Sequence, residues 1–270
     1  MAESPRATLG AATGQVGRAT VGFVAEAGYF LALAGESLYW IVLGAARGQR
    51  VRVSAVLSQA MGVGIRALPI LFVLSFAIGI MLAIQGIHTL AQFGAETQVV
   101  PGIALSVTRE FAPLITAILM AGRTGSALAA QVGTMQVNQE IDALRVMGIN
   151  PIRYLVAPVL LAMLLMTPCL TLFSALAALL GGAIFCNLEL GLGFAAYVDQ
   201  SAQFLKADDL YQGLAKSLVF AVIITLVGVA NGFSVSGGAE GVGRYTTRSV
   251  VLAISYIVVA DMIFTYFLNR

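Results

Sequence analysis

The sequence predicts an all-α protein that crosses a membrane five times. Of its 270 residues, 59% are hydrophobic and only 10% are charged, an apolar share above that of ordinary soluble domains. Five stretches are long and apolar enough for a helix to cross a hydrocarbon core about 30 Å thick. Arginines gather in alternate loops between these stretches, as is typical of polytopic membrane proteins.

The five predicted spans cover residues 67–88, 97–122, 154–186, 217–236 and 249–268. Three of them contain no charged residue, the fifth contains only Asp261, and the second carries one adjacent charged pair. The third is longer than the core requires and contains Pro158 and Pro168. We therefore expect it to tilt, kink or extend beyond the membrane.

The loop charges predict the orientation of the chain. Arg123, Arg145 and Arg153 lie between the second and third spans, and Arg244 and Arg248 lie between the fourth and fifth. By the positive-inside rule, the N-terminus is cytoplasmic and the C-terminus periplasmic. The first 20 residues show neither a signal peptide nor a transit peptide, which favours the bacterial inner membrane.

Residues 1–62 are predicted to form a cytoplasmic or interfacial helical segment before a five-helix domain at 63–270. The stretch 19–46 is hydrophobic, but Glu26 and Glu36 fall on one helical face about 80° apart. A helix lying at the membrane interface suits this pattern, and a sixth span is the alternative. The apolar side chains expected to face lipid are Phe23, Phe30, Leu31, Leu38 and Trp40.

The charged pair Arg109-Glu110 lies inside the second span. A charge at the bilayer centre costs roughly 2.5–3.5 kcal/mol on insertion scales, so such residues face a partner or a cavity. Asp261 in the last span is equally costly unless it is paired. Gln85, in the first span with His88 behind it, is a further polar candidate.

Several kinds of chemistry lack the residues they need. Lys216-Ser217 is the only Lys-Ser pair and has no P-loop glycines before it, so the chain is not expected to hydrolyse ATP. One histidine and the separated Cys169 and Cys186 do not make a metal site, and no cofactor is expected. The net charge of +2 gives no indication of nucleic-acid binding. An intramembrane enzyme built on Glu110 and Asp261 stays possible.

The predicted cytoplasmic segment 122–151 carries two patterns. Small residues recur at steps of three and four, so another backbone can approach closely, either that of a partner or that of the same bundle. These residues are Gly122, Ser126, Ala129, Ala130 and Gly133. The second half is amphipathic, with Ile141, Leu144, Met147 and Gly148 on one side and Glu140, Asp142 and Arg145 beside them. Asp142 to Gly148 loosely resembles the coupling loop of ATP-binding cassette importer permeases.

Longer motifs make the resemblance specific. They are LSVTREFAP at 105–113, AGRTGSA at 121–127 and EIDALRVMGINP at 140–151, with supporting matches at 79–86 and 241–251. Together they resemble the MlaE (YrbE) permease family of the MCE-associated ATP-binding cassette lipid transporters, over residues 67–268. Gln131 departs from the family, which usually has a glutamate there, and puts any salt bridge from that position in doubt.

The resemblance implies a homodimeric permease without an ATPase site of its own. It implies two separate ATPase subunits, an MCE-domain protein on the far side, and phospholipid or a related lipid as substrate. Arg109 and Glu110 would then line a lipid cavity at the dimer interface, Arg109 holding the phosphate and Glu110 balancing its charge. The alternative for this pair is an internal ion pair that fixes helix packing. Gln85 is a second substrate-binding candidate.

The resemblance also implies that the segment 122–151 transmits motion from the ATPase. The residues expected to do so are Arg123, Gln131, Glu140, Asp142 and Arg145. In the outer loop, Lys206, Asp208 and Asp209 would contact the MCE protein or form an ordinary solvated surface. A different class of function also fits the residues, namely an ion- or proton-coupled carrier that uses Glu110 and Asp261.

Overall fold

The computed structural model describes residue 21 and residues 24–25, 28–44 and 51–268, and within these ranges all regular secondary structure is helical. Five of the described helical stretches are long and apolar enough to cross a membrane. The predicted all-α membrane protein with five spans is confirmed. The stretches are Val53–Ala91, Val99–Val137, Ile152–Leu190, Ala207–Phe233 and Gly238–Phe267.

The helices are numbered in chain order. The first half of the described chain contains α1 (28–42), α2 (Val53–Gly64), α3 (Leu68–Ala91), α4 (Val99–Ser106), α5 (Ala112–Met120), α6 (Ser126–Val137) and α7 (Glu140–Val146). The second half contains α8 (Ala157–Leu190), α9 (Phe194–Phe204), α10 (Ala207–Phe233) and α11 (Gly238–Leu268). Short 3₁₀ or π turns join successive helices without breaking the helical path at Ile65–Ala67, Val107–Phe111 and Ala121–Gly125, and a further π turn, Ile152–Val156, leads directly into α8.

The observed helices are longer than the charge-free runs that predicted them. At the end of the bundle that carries Arg66, Arg123, Arg153 and Arg248, called here the arginine-rich end, the first, second and fifth stretches each continue for several further turns. At the opposite end, α10 begins at Ala207 rather than at residue 217. Its first turns contain charged residues that are buried and paired. A search for stretches without charge leaves these turns out of the predicted span.

The tightest crossing joins α3 and α8. A Cβ atom on Gly79 would lie 1.9 Å from the carbonyl oxygen of Ala178, and one on Gly181 would lie 2.2 Å from that of Phe76. Nearby, the hydroxyl groups of Ser75 and Ser174 form a buried hydrogen bond of 2.7 Å. Small residues permit this approach, which helices in lipid need because packing and hydrogen bonds, rather than water exclusion, hold them together.

The small-residue face of α6 packs largely against α10 of the same chain. A Cβ atom on Gly133 would lie 2.6 Å from Val235 Cγ2, and one on Gly232 of α10 would lie 3.2 Å from the Ala129 carbonyl oxygen. Gly122, by contrast, has nothing within 4 Å of the position of a Cβ atom. Of the two interpretations of this pattern, packing within the bundle therefore accounts for Ala129 and Gly133.

Helix α1 packs on the bundle through two residues that were expected to face lipid. The Phe30 ring meets Tyr256 edge to face at 6.0 Å, and the Arg153 guanidinium lies 5.5 Å from the Trp40 ring centroid. The expectation is wrong for these two because aromatic and cationic partners of the spans cover them. Leu31 and Leu38 are exposed as predicted, whereas Phe23 and Glu26 lie outside the described residues.

Candidate functional site

The charged pair of the second span lies in a π turn. Arg109 and Glu110 belong to the turn Val107–Phe111, and Pro113 follows two residues after it. Proline has no N–H and crowds the carbonyl four residues earlier, so a widened turn relieves the clash. Successive residues on a helix point about 100° apart, and the two side chains accordingly reach different partners.

Arg109 pairs with Asp209 at the start of α10. The Arg109 Nε donates to Asp209 Oδ1 at 2.7 Å, and Nη2 forms a close ion pair with the same oxygen. The other carboxylate oxygen, Oδ2, accepts the backbone N–H of Lys206 at 2.8 Å, which caps the first turn of α10. The Asp209 side chain is 2% exposed. Asp209 was expected in an outer loop, either contacting the MCE protein or facing solvent, and its burial shows that this expectation is wrong. Lys206 and Asp208, which were expected in the same loop, are exposed.

Glu110 pairs with Lys216 of α10, which also binds the last span. The Lys216 ammonium forms a close ion pair with Glu110, lies 2.9 Å from Asp261 Oδ1 and donates to Thr265 Oγ1 at 2.9 Å. The Thr265 hydroxyl in turn donates to Glu110 at 3.1 Å. Glu110 thus does not balance the charge of Arg109, because each member of the pair has its own counter-charge. Asp261 is paired, as its position in a span required.

A glycine allows α10 to reach the π turn. Asp209, Gly213 and Lys216 follow at steps of four and three and so share one helical face. A Cβ atom on Gly213 would lie 2.3 Å from the carbonyl oxygen of Thr108. The two backbones can therefore touch between the two ion pairs. The sequence contains this spacing, but the fourth span was predicted to start at residue 217. All three residues therefore lay outside the predicted helix.

These five residues, Arg109, Glu110, Asp209, Lys216 and Asp261, are called here the charge network. It joins the second, fourth and fifth spans and contains two basic and three acidic side chains. Lys216 is fully buried, whereas the side chains of Arg109 and Glu110 are 36% and 30% exposed. The network is thus buried at Lys216 on α10. It has an open face at the π turn, where Arg109 and Glu110 are partly exposed. A guanidinium presented in this way can bind an anionic group such as a phosphate.

Gln85 does not join the charge network. It lies on α3 and lines a cavity of about 330 Å³ between α3 and α4, together with Thr89, Gln98 and Ser106. Ser106 immediately precedes the π turn that carries Arg109. The predicted substrate-binding residues therefore occupy two neighbouring regions rather than one.

Three of the predicted coupling residues lie together on α7. Glu140, Asp142 and Arg145 are exposed, and Arg145 Nη1 pairs with Asp142 Oδ1 at 3.1 Å. Ile141 and Leu144 are buried against the rest of the chain. The helix thus presents its charges outward while two apolar anchors hold it in place.

The ends of α7 are fixed by specific backbone geometry. Gly148 has a positive φ of 74°, and the Ile149 N–H donates to the Leu144 carbonyl at 2.9 Å, a glycine-terminated helix end. Met147 was expected beside Ile141 and Leu144, but this termination leaves it 64% exposed next to Val146, which is 90% exposed. The outer surface of α7 is therefore both charged and apolar.

The other two predicted coupling residues lie apart from α7. Arg123 donates to the carbonyl oxygens of Gly62 and Val63 at 3.4 Å, so it contacts α2 of the same chain. Gln131 is exposed on α6 and lines a cavity of about 600 Å³ at the arginine-rich end. The sequence grouped these five residues in one segment, and the structure separates them into three places.

Comparison with known proteins identifies the chain's relatives. The family model described as Permease MlaE matches residues 56–267. The chain belongs to the MlaE permease family. The match includes all five membrane-spanning stretches apart from the first three residues of the first, and it confirms the resemblance carried by the motifs.

Relatives of this MlaE family member occur in distant organisms. A probable ABC transporter permease of Rickettsia typhi is 31% identical over 255 residues, which is 94% of this chain and 96% of the relative. A probable ABC transporter permease of Synechocystis is 35% identical over 78% of this chain and 80% of its own length. The MlaE permease of the Haemophilus influenzae intermembrane phospholipid transport system is 32% identical over 75% of this chain and 78% of its own length.

These findings establish a multi-pass membrane protein of the ABC transporter permease class. Permease subunits of this class are not themselves catalytic. The charge network and the exposed surface of α7 are therefore features of a permease, and they are best interpreted in terms of transport.

Proposed function

We propose that this chain is the permease subunit of an ATP-driven transporter of phospholipid or a related lipid. It would act as a homodimer in a bacterial inner membrane and exchange lipid with an MCE-domain protein on the periplasmic side. A separate subunit would hydrolyse ATP. The relative from Haemophilus influenzae, named for intermembrane phospholipid transport, supports the choice of substrate.

The open face of the charge network carries this proposal. Arg109 and Glu110 lie within a membrane-spanning stretch, and about a third of each side chain is exposed. Facing hydrocarbon would cost several kcal/mol, so the face has to border a polar or amphipathic chamber. A phospholipid matches both parts of such a chamber, since its phosphate suits the guanidinium and its tails suit the apolar spans.

The surface of α11 supports the proposal of a dimer. In the single chain, only 11% of the residues in the most apolar part of α11 are buried, whereas 67% are buried in the most apolar part of α10. Asp261 and Thr265, which bind Lys216, lie on this sparsely covered helix. A second copy packed on α11 would cover it and close the chamber beside Arg109.

The surface of α7 supports an ATPase partner. It combines the exposed charges of Glu140, Asp142 and Arg145 with the exposed side chains of Val146 and Met147. An apolar centre with a charged rim is typical of a protein interface. On this proposal α7 is cytoplasmic, and the exposed Lys206 and Asp208 at the opposite end are the residues nearest the MCE-domain protein.

Reconstitution tests the proposal. The chain would be placed in liposomes with the ATPase encoded beside it, and the ATP-dependent movement of a labelled phospholipid would be measured. We expect Arg109→Ala to abolish movement and Arg109→Lys to retain part of it, because lysine keeps the charge but not the planar fork. The matched control is Arg244→Ala, which removes an exposed arginine outside the network. Full movement by Arg109→Ala would refute the assigned role.

An ion-coupled carrier is the second candidate, because Glu110 and Asp261 both contact Lys216 and the network holds one more acidic than basic residue. Carboxylates that share a base within a membrane are typical of proton relays. A carrier would move its substrate without the ATPase when a pH gradient is imposed. Substrate movement that strictly requires ATP and the ATPase subunit would exclude a carrier.

A further inference from the structure

The short connection between α7 and α8 ties α7 to the start of the third span. Three residues separate Val146, the last residue of α7, from Asn150. Within this connection, the Ile149 N–H donates to the carbonyl oxygen of Leu144 at 2.9 Å. The connection therefore has little slack at its α7 end, and a displacement of α7 moves Asn150 as well.

Asn150 caps the start of the third span. Its side-chain oxygen Oδ1 accepts the backbone N–H of Ile152 at 2.8 Å and that of Arg153 at 3.3 Å. Its backbone carbonyl oxygen accepts the N–H of Tyr154 at 3.1 Å. Pro151 follows it at the first helical position, where a missing N–H costs nothing. Asparagine is favoured at such a cap because its oxygen satisfies N–H groups that have no partner within the helix.

The amide nitrogen of the same side chain reaches α1. Asn150 Nδ2 donates to Glu36 Oε1 at 2.8 Å. Four residues further along α1, the Trp40 ring centroid lies 5.5 Å from the Arg153 guanidinium. Residues four apart share one helical face, so one face of α1 contacts both the cap and the first turn of the third span. A hydrogen bond to a carboxylate is stronger than one between neutral groups.

Helix α1 in turn packs on the two last spans. Leu33 is 3% exposed and belongs to a buried cluster with Leu226 and Val229 of α10. The Phe30 ring meets the Tyr256 ring of α11 edge to face. These two spans carry three of the five residues of the charge network. Helix α1 therefore forms a bridge between Asn150 and the helices that hold the network.

We propose that Asn150 is a positioning residue that transmits movement of α7 to α1 through its hydrogen bond to Glu36. This role rests on the proposed contact between α7 and an ATPase. When the ATPase displaces α7, Asn150 moves the first turn of the third span and α1 together. Helix α1 then shifts against α10 and α11, which carry most of the charge network. Without the bond, α7 moves the third span alone.

The side chain of Trp40 offers a direct measurement of α1. It is the only tryptophan of the chain, and it lies on α1 beside the contact. The full chain would be labelled with fluorotryptophan, placed in nanodiscs with the unlabelled ATPase encoded beside it, and studied by fluorine NMR with and without ATP and vanadate. We expect the resonance to shift when the ATPase is trapped with nucleotide. This shift does not depend on which substrate is moved.

Substitutions at the two ends of the bond separate the link from the cap. Glu36→Ala removes the acceptor on α1 and leaves the cap intact, whereas Asn150→Asp removes the donor but keeps an oxygen for the Ile152 N–H. In each, we expect the nucleotide-dependent shift to fall about threefold, because the charge-assisted bond is lost. Glu36→Gln keeps an acceptor oxygen and should retain most of the shift.

The double variant Asn150→Asp/Glu36→Gln reverses the hydrogen bond. The glutamine amide now donates to the aspartate carboxylate, and we expect the shift to recover. The matched control is Gln203→Glu, which also replaces an amide facing a carboxylate, that of Asp199, in an exposed pair at the opposite end of the bundle. It should leave the shift unchanged. Lipid moved per ATP hydrolysed, measured in liposomes, should follow the shift across these variants.

Three results would overturn the proposal. They are a resonance of the unchanged chain that does not respond to nucleotide, a shift in Glu36→Ala as large as in the unchanged chain, and a shift that the reversed pair does not recover. If Asn150→Asp does not stay monodisperse, Glu36→Ala and Glu36→Gln decide the matter, because neither touches the cap. A shift that follows the variants in a chain that moves no lipid would support the link and refute the proposed substrate.

Discussion

At the scale of single residues, the feature with the largest energetic consequence is the burial of Lys216. Its ammonium is fully enclosed and contacts Glu110, Asp261 and Thr265. Removing one member of a buried charge network typically costs about 3–5 kcal/mol, because the remaining charges lose their compensation. The lysine therefore joins three spans through a single atom.

Replacing Lys216 with methionine should strongly destabilise the protein. The apolar side chain has a similar length but leaves two carboxylates without a counter-charge. We expect a lower thermal midpoint in detergent, measured as loss of the monodisperse fraction on heating. The control Lys206→Met removes an exposed lysine. Adding Asp261→Asn to Lys216→Met should restore part of the midpoint, and an unchanged midpoint in Lys216→Met alone would contradict the network.

Asp209 has two roles that substitutions can separate. Asparagine keeps an oxygen for the Lys206 N–H but loses the charge facing Arg109, whereas alanine loses both. We expect Asp209→Ala to be less stable than Asp209→Asn by about 1 kcal/mol, the usual value of a helix cap. Both variants should lose lipid movement in the reconstituted assay. Equal stability of the two would argue against the capping role.

Sequence reasoning found the network residues that interrupt apolar runs and missed those at a helix start. Arg109, Glu110 and Asp261 stand alone among apolar neighbours, so their cost in lipid makes them visible. Asp209 lies among polar residues and was assigned to the outer loop, and Lys216 lies one residue before the predicted start of the fourth span. The structure makes residues 207–216 the first part of the span, and the close approach at Gly213 places them against the second span.

At the scale of helices, the number of spans was predictable because the bilayer fixes their minimum length. Their ends were not, because a helix can continue past the hydrocarbon core wherever another helix covers it. The extension of the second span through α6 depends on contacts with α10 and with the residues just after it, such as that of Gly133 with Val235. These contacts join residues that are far apart in the sequence, so no local stretch of sequence predicts them.

A single methyl group should disturb the crossing of α3 and α8. In Gly79→Ala the new Cβ atom would overlap the Ala178 carbonyl oxygen, and overpacking of this kind costs about 1–3 kcal/mol. The matched control is Gly62→Ala, which has nothing within 4 Å and should be neutral or slightly stabilising because alanine favours helix. Thermal midpoints in detergent compare the two. A midpoint for Gly79→Ala equal to that of the control would contradict the tight crossing.

At the scale of the whole molecule, the proposed coupling to an ATPase depends on the exposed charges of α7. In Glu140→Arg/Asp142→Arg, we expect the chain to fold normally, because both side chains are exposed. Copurification of the ATPase should fall strongly, since reversed charges repel the partner's complementary groups. Glu189→Arg, an exposed reversal at the opposite end, is the control. Normal association and lipid movement in the double variant would exclude α7 as the contact.

Properties of the assembly are the ones that a single chain specifies least. The sparse burial of α11 and the open face of Arg109 support the proposed dimer. They do so through exposure in three dimensions, which a linear pattern of apolar residues does not contain. The resemblance to a family supplied the dimer, the ATPase and the MCE-domain protein as expectations, and the reconstitution and copurification assays test the ATPase.

The two bonds of Asp209 also have a mechanical consequence. One carboxylate oxygen holds the backbone at Lys206, where α9 ends and α10 begins, and the other holds Arg109 inside the second span. On the proposed function, a partner protein that pulls on the segment at Lys206 therefore acts on the guanidinium through the Asp209 side chain. The proposed function thus makes docking at this surface and release of an anionic lipid parts of the same movement.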